Sequence, residues 1–158
     1  METRRDAREW VMQVLYALEL SGHSLEQVTE QLHPQGAREP LLKFAHELAG
    51  QSDRHRDQLD QAIREHADKW DLERIAVLDR IILRMAICEI LHFPDIPPRV
   101  TINEAIEIAK KYSTEKSDKF INGILDAVLH QHDLGGKPTE KSKKREKQNA
   151  VKATNRSS

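Results

Sequence analysis

The chain has 158 residues, 38% of them hydrophobic, 32% charged and 4% aromatic, with one cysteine and a formal net charge of −1. That length predicts one domain with its own core; a lone cysteine excludes an intramolecular disulfide and leaves no zinc-ligand spacing, and no run approaches the ~20 apolar residues of a membrane span, so a cytoplasmic location is expected. Residues 135–158 hold eight Lys or Arg against two Asp or Glu (+6) and the rest 17 against 24 (−7), so any nucleic-acid site on this acidic body must be a local cluster of cations.

Glycine is scarce and period-two strands are missing, so the predicted class is all-α. Thr3 followed by Asp6 resembles a capping box and opens a first helix through "RRDAREWVMQVLYALEL", which Ser21-Gly22 ends. Ser24 and Gln27 open a short second helix, and Pro34 and Gly36 break the chain after it. From Pro40 to about His66 the apolar positions predict one long helix with a solvated middle at "QSDRHRDQ", or a bend there. Asp71 is placed to cap a short helical turn. "AVLDRIILRMAICEILH" is apolar around much of its circumference, as a central buried helix would be, and Pro94 ends it. "FPDIPPR" reads as a stiff extended connector. Thr101 and Glu104 form a second capping box ahead of a helix with Ile102, Ala105, Ile106, Ala109 and Tyr112 on one face. The last helix starts near Ser117 and buries Phe120, Ile121, Ile124, Leu125 and Val128, with Gly123 able to admit a neighbouring helix closely. The expected organisation is an all-helical domain over residues 1–134 and a basic tail over 135–158, too poor in apolar residues to order.

At 100° per residue the first helix gathers Trp10, Val11, Val14, Leu15 and Leu18 into one stripe. Arg5, Met12 and Tyr16 turn away from that stripe, Arg8 lies at the border, and Arg4 is at the helix start. Two readings of this outer face stand. A ring can stack on an unpaired base while guanidiniums hold phosphates, or Tyr16 lies under the second helix or the tail and the arginines pair with Asp6 and Glu9. A second basic group, Lys110, Lys111, Lys116 and Lys119, straddles the turn into the last helix, where free backbone amides favour an anion. Glu115 and Asp118 dilute it, and lysines so spaced are often a plain solvated face. Glu89, on the apolar side of the central helix, needs a partner if buried; its expected role is structural, accepting from backbone amides near the "TINEA" helix or from Arg84. Catalytic and metal signals are weak. Only His130 and His132 are close together, there is no phosphate-cradling glycine loop, and Cys88 reads as core. A non-enzyme without cofactor or metal is the expectation.

Three stretches, "RRDAREWVMQVLYALEL", "LDRIILRMAICEIL" and "DIPPRVTINEAIEIAKKYSTEKSDKFINGILDAV", together resemble the NusB family of transcription antitermination factors over about residues 3–130. The resemblance implies an all-α fold of about seven helices in two small bundles, without catalytic activity. It implies binding to the single-stranded boxA element of nascent ribosomal RNA transcripts jointly with a small-subunit ribosomal protein, NusE. The complex would then load onto RNA polymerase with other Nus factors and suppress termination. It implies RNA-binding roles for Arg4, Arg5, Arg8, Tyr16, Lys116, Lys119 and Phe120, and a docking place for the ribosomal protein at Asp79 with Glu73 and Arg80. Lys116 departs from the acidic residues familiar at its position. Some such proteins dimerise, and a homodimer would mask the RNA site. Two other readings remain at this point: a non-catalytic ribosomal RNA maturation accessory, because the domain resembles the front part of certain ribosomal RNA methyltransferases, and a protein-only interaction module.

Overall fold

Capping chemistry sets the first two helices in the computed structural model, which describes residues 1–67 and 72–132. The Thr3 hydroxyl accepts from the Asp6 amide at 3.1 Å and the Asp6 carboxylate accepts from the Thr3 amide at 3.1 Å, opening α1 (Arg4–Ser21). Gly22 closes it at φ 69°, a left-handed conformation that glycine adopts without a Cβ clash. Ser24 and Gln27 repeat the reciprocal cap for α2 (Leu25–Gln31). The long amphipathic segment divides at His55 into α3 (Glu39–Arg54) and α4 (Arg56–His66). The bend therefore falls inside the apolar-free stretch, and the His55 ring stacks on His92, centroids 4.1 Å apart. A short 3₁₀ turn, Leu72–Arg74, leads into α5 (Val77–His92). Asp71 and the 135–158 tail lie outside the described residues.

Helix α5 is the spine. Ile81, Ile82, Leu83, Met85, Ile87 and Cys88 are all fully or almost fully buried, because α5 packs against helices on two sides. One bundle forms where α1 and α3 pack against each other and on α5, with α2 resting on α1. The other forms where α6 (Pro98–Tyr112) and α7 (Ser117–Gln131) pack on each other and on α5, with α4 against α5 and α7. The described residues are thus all-helical, seven α-helices in two small bundles sharing one helix.

Three local expectations are corrected. Helix α6 starts at Pro98 and not at Thr101, because a proline at the first helical position has φ already set and no amide to satisfy. Thr101 is instead buried inside the first turns, its hydroxyl donating to Glu89 at 3.1 Å. Gly123 is exposed, and a Cβ added there meets nothing within 4 Å, so it admits no close helix. Met12 is buried and not outward, since α1 is covered over more of its circumference than its apolar stripe spans.

Candidate nucleic-acid interface

The outer side of α1 is built on the spacing Arg5, Glu9, Tyr16, in which offsets of four and seven residues return the side chains to one face. Helix α6 packs on α5, as α1 does, and two ion pairs tie α6 to this face of α1. Arg5 grips Glu104 through a two-point fork, Nε to Oε2 at 2.7 Å and Nη2 to Oε1 at 3.0 Å. Glu9 accepts from Lys111 Nζ at 3.0 and 3.3 Å. A third tie lies further along α1, where Arg80 of α5 donates to Glu19 at 2.7 Å. Tyr16 therefore lies between the second and third ties. Tyr16 is 39% exposed, so it is not sealed beneath the second helix. The hydrogen bond from Arg5 holds the Glu104 carboxyl below its ordinary value, and the one to Glu9 raises the Lys111 ammonium.

Arg8 is corrected outright. It is buried, and its guanidinium makes two 2.8 Å bonds to the buried Glu89 carboxylate. Its charge is paired inside the bundle, so it is not the exposed surface cation that an arginine binding phosphate from solvent would be. The structural role expected of Glu89 stands with different partners: Arg8 and Thr101 satisfy it, while Arg84 pairs with Asp60 at 2.9 Å. Arg4 is exposed with its guanidinium 4.8 Å from the Phe44 ring centroid.

The start of α7 is anchored from below. Both carboxylate oxygens of Asp79 accept hydroxyls, from Ser113 and, at 2.8 Å, from Ser117. Asp79 is buried, so its carboxylate is no surface feature, whereas Glu73 is exposed and Arg80 is held by Glu19. This knot joins α5, the end of α6 and the start of α7. It fixes Lys116 and Phe120 around a cavity of about 270 Å³ whose other walls include Ile75, Ala76 and Thr114. Lys119 is exposed. Phe120 is half-buried rather than sealed into the core, leaving part of its ring at the cavity.

Two participants were not visible as such in the sequence. Tyr112, assigned to the apolar face of its helix, is 36% exposed, so both tyrosines of the chain sit at the surface. Lys111 Nζ lies 5.1 Å from the Tyr112 ring centroid while holding Glu9. The only available signal was position: Tyr112 is the last residue of α6, where an apolar stripe runs past the neighbours it packs on.

A family model described as the NusB family matches residues 5–130. The transcription antitermination protein NusB of Salinibacter ruber is 44% identical over 142 residues, covering 85% of this chain and 86% of the relative. The chain belongs to the NusB family. A solved NusB from T. maritima is 39% identical, with a TM-score of 0.78 over 84% of this chain and 94% of that one. A crystal structure of the antitermination factors NusB and NusE in complex with double-stranded RNA contains a chain 26% identical to this one. Its TM-score is 0.71, over 81% of this chain and 96% of that one. The match to the NusB family model spans α1 to α7, so Arg5, Tyr16, Lys111, Tyr112, Lys116 and Phe120 all stand on the shared NusB scaffold.

Proposed function

We propose that this NusB-family chain is a transcription antitermination factor that binds the boxA RNA of nascent ribosomal RNA transcripts together with NusE. Through that complex it would meet the other Nus factors and RNA polymerase and suppress termination. The observation that carries this reading is the pair of ion-pair ties between α1 and α6, which brings Arg5, Lys111 and the exposed Tyr112 ring to the side of α1 that also bears the exposed Tyr16. From Arg5 to Tyr16 the strip rises about 16 Å along α1, at 1.5 Å per residue, enough for a short stretch of unpaired strand. Single-stranded RNA is recognised by splayed bases on aromatic rings and by cations on phosphates. Arg4 and Arg5 supply charge at one end of the strip, and Lys116 and Lys119 with Phe120 supply it at the α7 start.

Glu73 and Arg80, on the 3₁₀ turn and the start of α5, are the residues assigned to NusE. Asp79 contributes beneath them by fixing the α7 start. As a member of the NusB family the chain would act without chemistry of its own; among the described residues no three His, Cys, Asp or Glu side chains gather to hold a metal. No described helix is long and apolar enough to cross a membrane; a NusB-family factor would work on transcripts in the cytoplasm. Residues 135–158 would add sequence-independent attraction to RNA through their +6 balance.

Filter binding with boxA RNA and a scrambled RNA of equal length, with and without NusE, tests the reading. Tighter binding of boxA, enhanced by NusE, is expected. Absence of binding to either RNA in both conditions would support a protein-only module instead, and equal binding of both would leave only sequence-independent attraction.

A further inference from the structure

Glu9 and Glu104 sit directly under the cations of the α1–α6 strip, and their exposure differs from that of their partners in one direction. The Arg5 and Lys111 side chains are 49% and 59% exposed, while Glu104 and Glu9 are 20% and 14% exposed. A phosphate arriving from solvent therefore reaches the cations first and competes for them. The carboxylates sit lower than the cations and are mostly covered, so they do not follow the longer cationic side chains outward. Among the described residues no other hydrogen-bond donor reaches either one. Once a phosphate takes the guanidinium or the ammonium, a half-buried anion is left beside a second anion, which is unfavourable unless a new donor arrives.

Resting on the RNA reading above, we propose that Glu9 and Glu104 are specificity-determining residues that read base N–H groups. A strand whose phosphates engage Arg5 and Lys111 must also present amino or imino donors from its bases to the freed carboxylates. The two exposed rings, Tyr16 and Tyr112, hold bases splayed at the height where such donors can reach them. A strand that lacks a donor at that register meets two unpaired carboxylates and is rejected, so discrimination arises from a repulsive element as much as from an attractive one. Counter-ions placed only to lower affinity would act on all RNAs alike; base readers act on some.

Alanine and glutamine at these positions separate the possibilities. Both are good helix formers, so the fold should survive, and coincident melting curves would confirm it. Glutamine removes the charge and keeps an acceptor; alanine removes both. Titrations of the full chain with boxA RNA and with scrambled RNA are compared for Glu104→Ala, Glu104→Gln, Glu9→Ala and Glu9→Gln, with Glu30→Gln on α2 as a charge control. The glutamine variants should tighten both RNAs in parallel by about two- to fivefold, the range of one surface ion pair. The alanine variants should tighten scrambled RNA similarly but weaken boxA by about two- to fivefold, so that the boxA preference falls by about tenfold, the worth of one hydrogen bond to a charged group. Parallel tightening of both RNAs by alanine and glutamine alike would overturn base reading and leave plain counter-charges. Weakening of both RNAs by either substitution would overturn it in favour of carboxylates that only orient Arg5 and Lys111. If wild type shows no boxA preference and Arg5→Gln changes nothing, the RNA reading itself fails, a result distinct from either of these.

Discussion

Replacing Arg8 separates scaffold from interface on α1, because it and Arg5 stand three residues apart and have opposite surroundings. Arg8→Ala leaves the Glu89 carboxylate buried with only the Thr101 hydroxyl as donor. Removing one partner of a buried ion pair costs ~3–5 kcal/mol. The guanidinium also lies 5.3 Å from the Phe44 ring centroid, and losing that contact adds ~0.5–1 kcal/mol. Against a total stability of ~5–15 kcal/mol for a domain, the variant should be marginal. At ~2–4 °C per kcal/mol for a chain of this size, Tm should fall by roughly 10 °C. Urea unfolding followed by circular dichroism gives the free energy, and a double variant, Arg8→Met with Glu89→Leu, should recover much of the loss because it leaves no buried charge. Under conditions where Arg8→Ala is still folded, the salt dependence of its boxA binding should equal that of wild type. A variant that loses less than ~1 kcal/mol and shows a shallower salt dependence would refute the burial argument and return Arg8 to the RNA surface.

Asp79→Ala should free the Ser113 and Ser117 hydroxyls and loosen the α7 start, costing ~1–3 kcal/mol; hydrogen exchange should quicken at the Phe120 and Ile121 amides while those of α3 keep their protection. Burial, and then the facing His55, lower the pKa of His92 below its usual 6.5. The folded state thus takes up a proton less readily than the unfolded chain, so this contribution is present above about pH 6.5 and is lost as pH falls through the lower folded value; His92→Gln should flatten the decline in Tm between about pH 7 and pH 5. Burial pushes the Cys88 thiol up to about 11, so iodoacetamide should modify it only in denaturant, and labelling of native protein at neutral pH would contradict its place in the core.

Much of this fold is written locally. The two reciprocal caps at Thr3 and Ser24 need only residues three apart, and the all-round apolar character of α5 already implies neighbours on both sides. The same local grammar misled at Thr101, where a T-x-x-E spacing also fits the interior of a helix that Pro97-Pro98 had already begun. Arg8 shows the deeper limit. On a helical wheel it is a border residue, and only the meeting with Glu89, 81 positions away on α5, decides that it points inward. Met12 and Tyr112 fail in opposite senses for one reason: periodicity gives the direction of a side chain from its helix axis but not how far the neighbouring helices extend to cover it. The exposed Arg5 and Tyr16 were legible because the wheel of α1 alone turns them away from its apolar stripe; the partner of Arg5, Glu104 on α6, was not, because long-range packing places it.

The central claim is that one strand of RNA runs along α1 and α6 to the start of α7. Photo-crosslinking of the full chain to boxA RNA carrying 4-thiouridine at successive positions, with mass spectrometric mapping of the linked peptides, tests it most directly. Crosslinks should move with the position of the label from the α1 segment around Arg5, through Tyr16 and Tyr112, to the segment holding Lys116 and Phe120. Crosslinks confined to residues 133–158, or to α2 and the outer side of α3, would contradict the account.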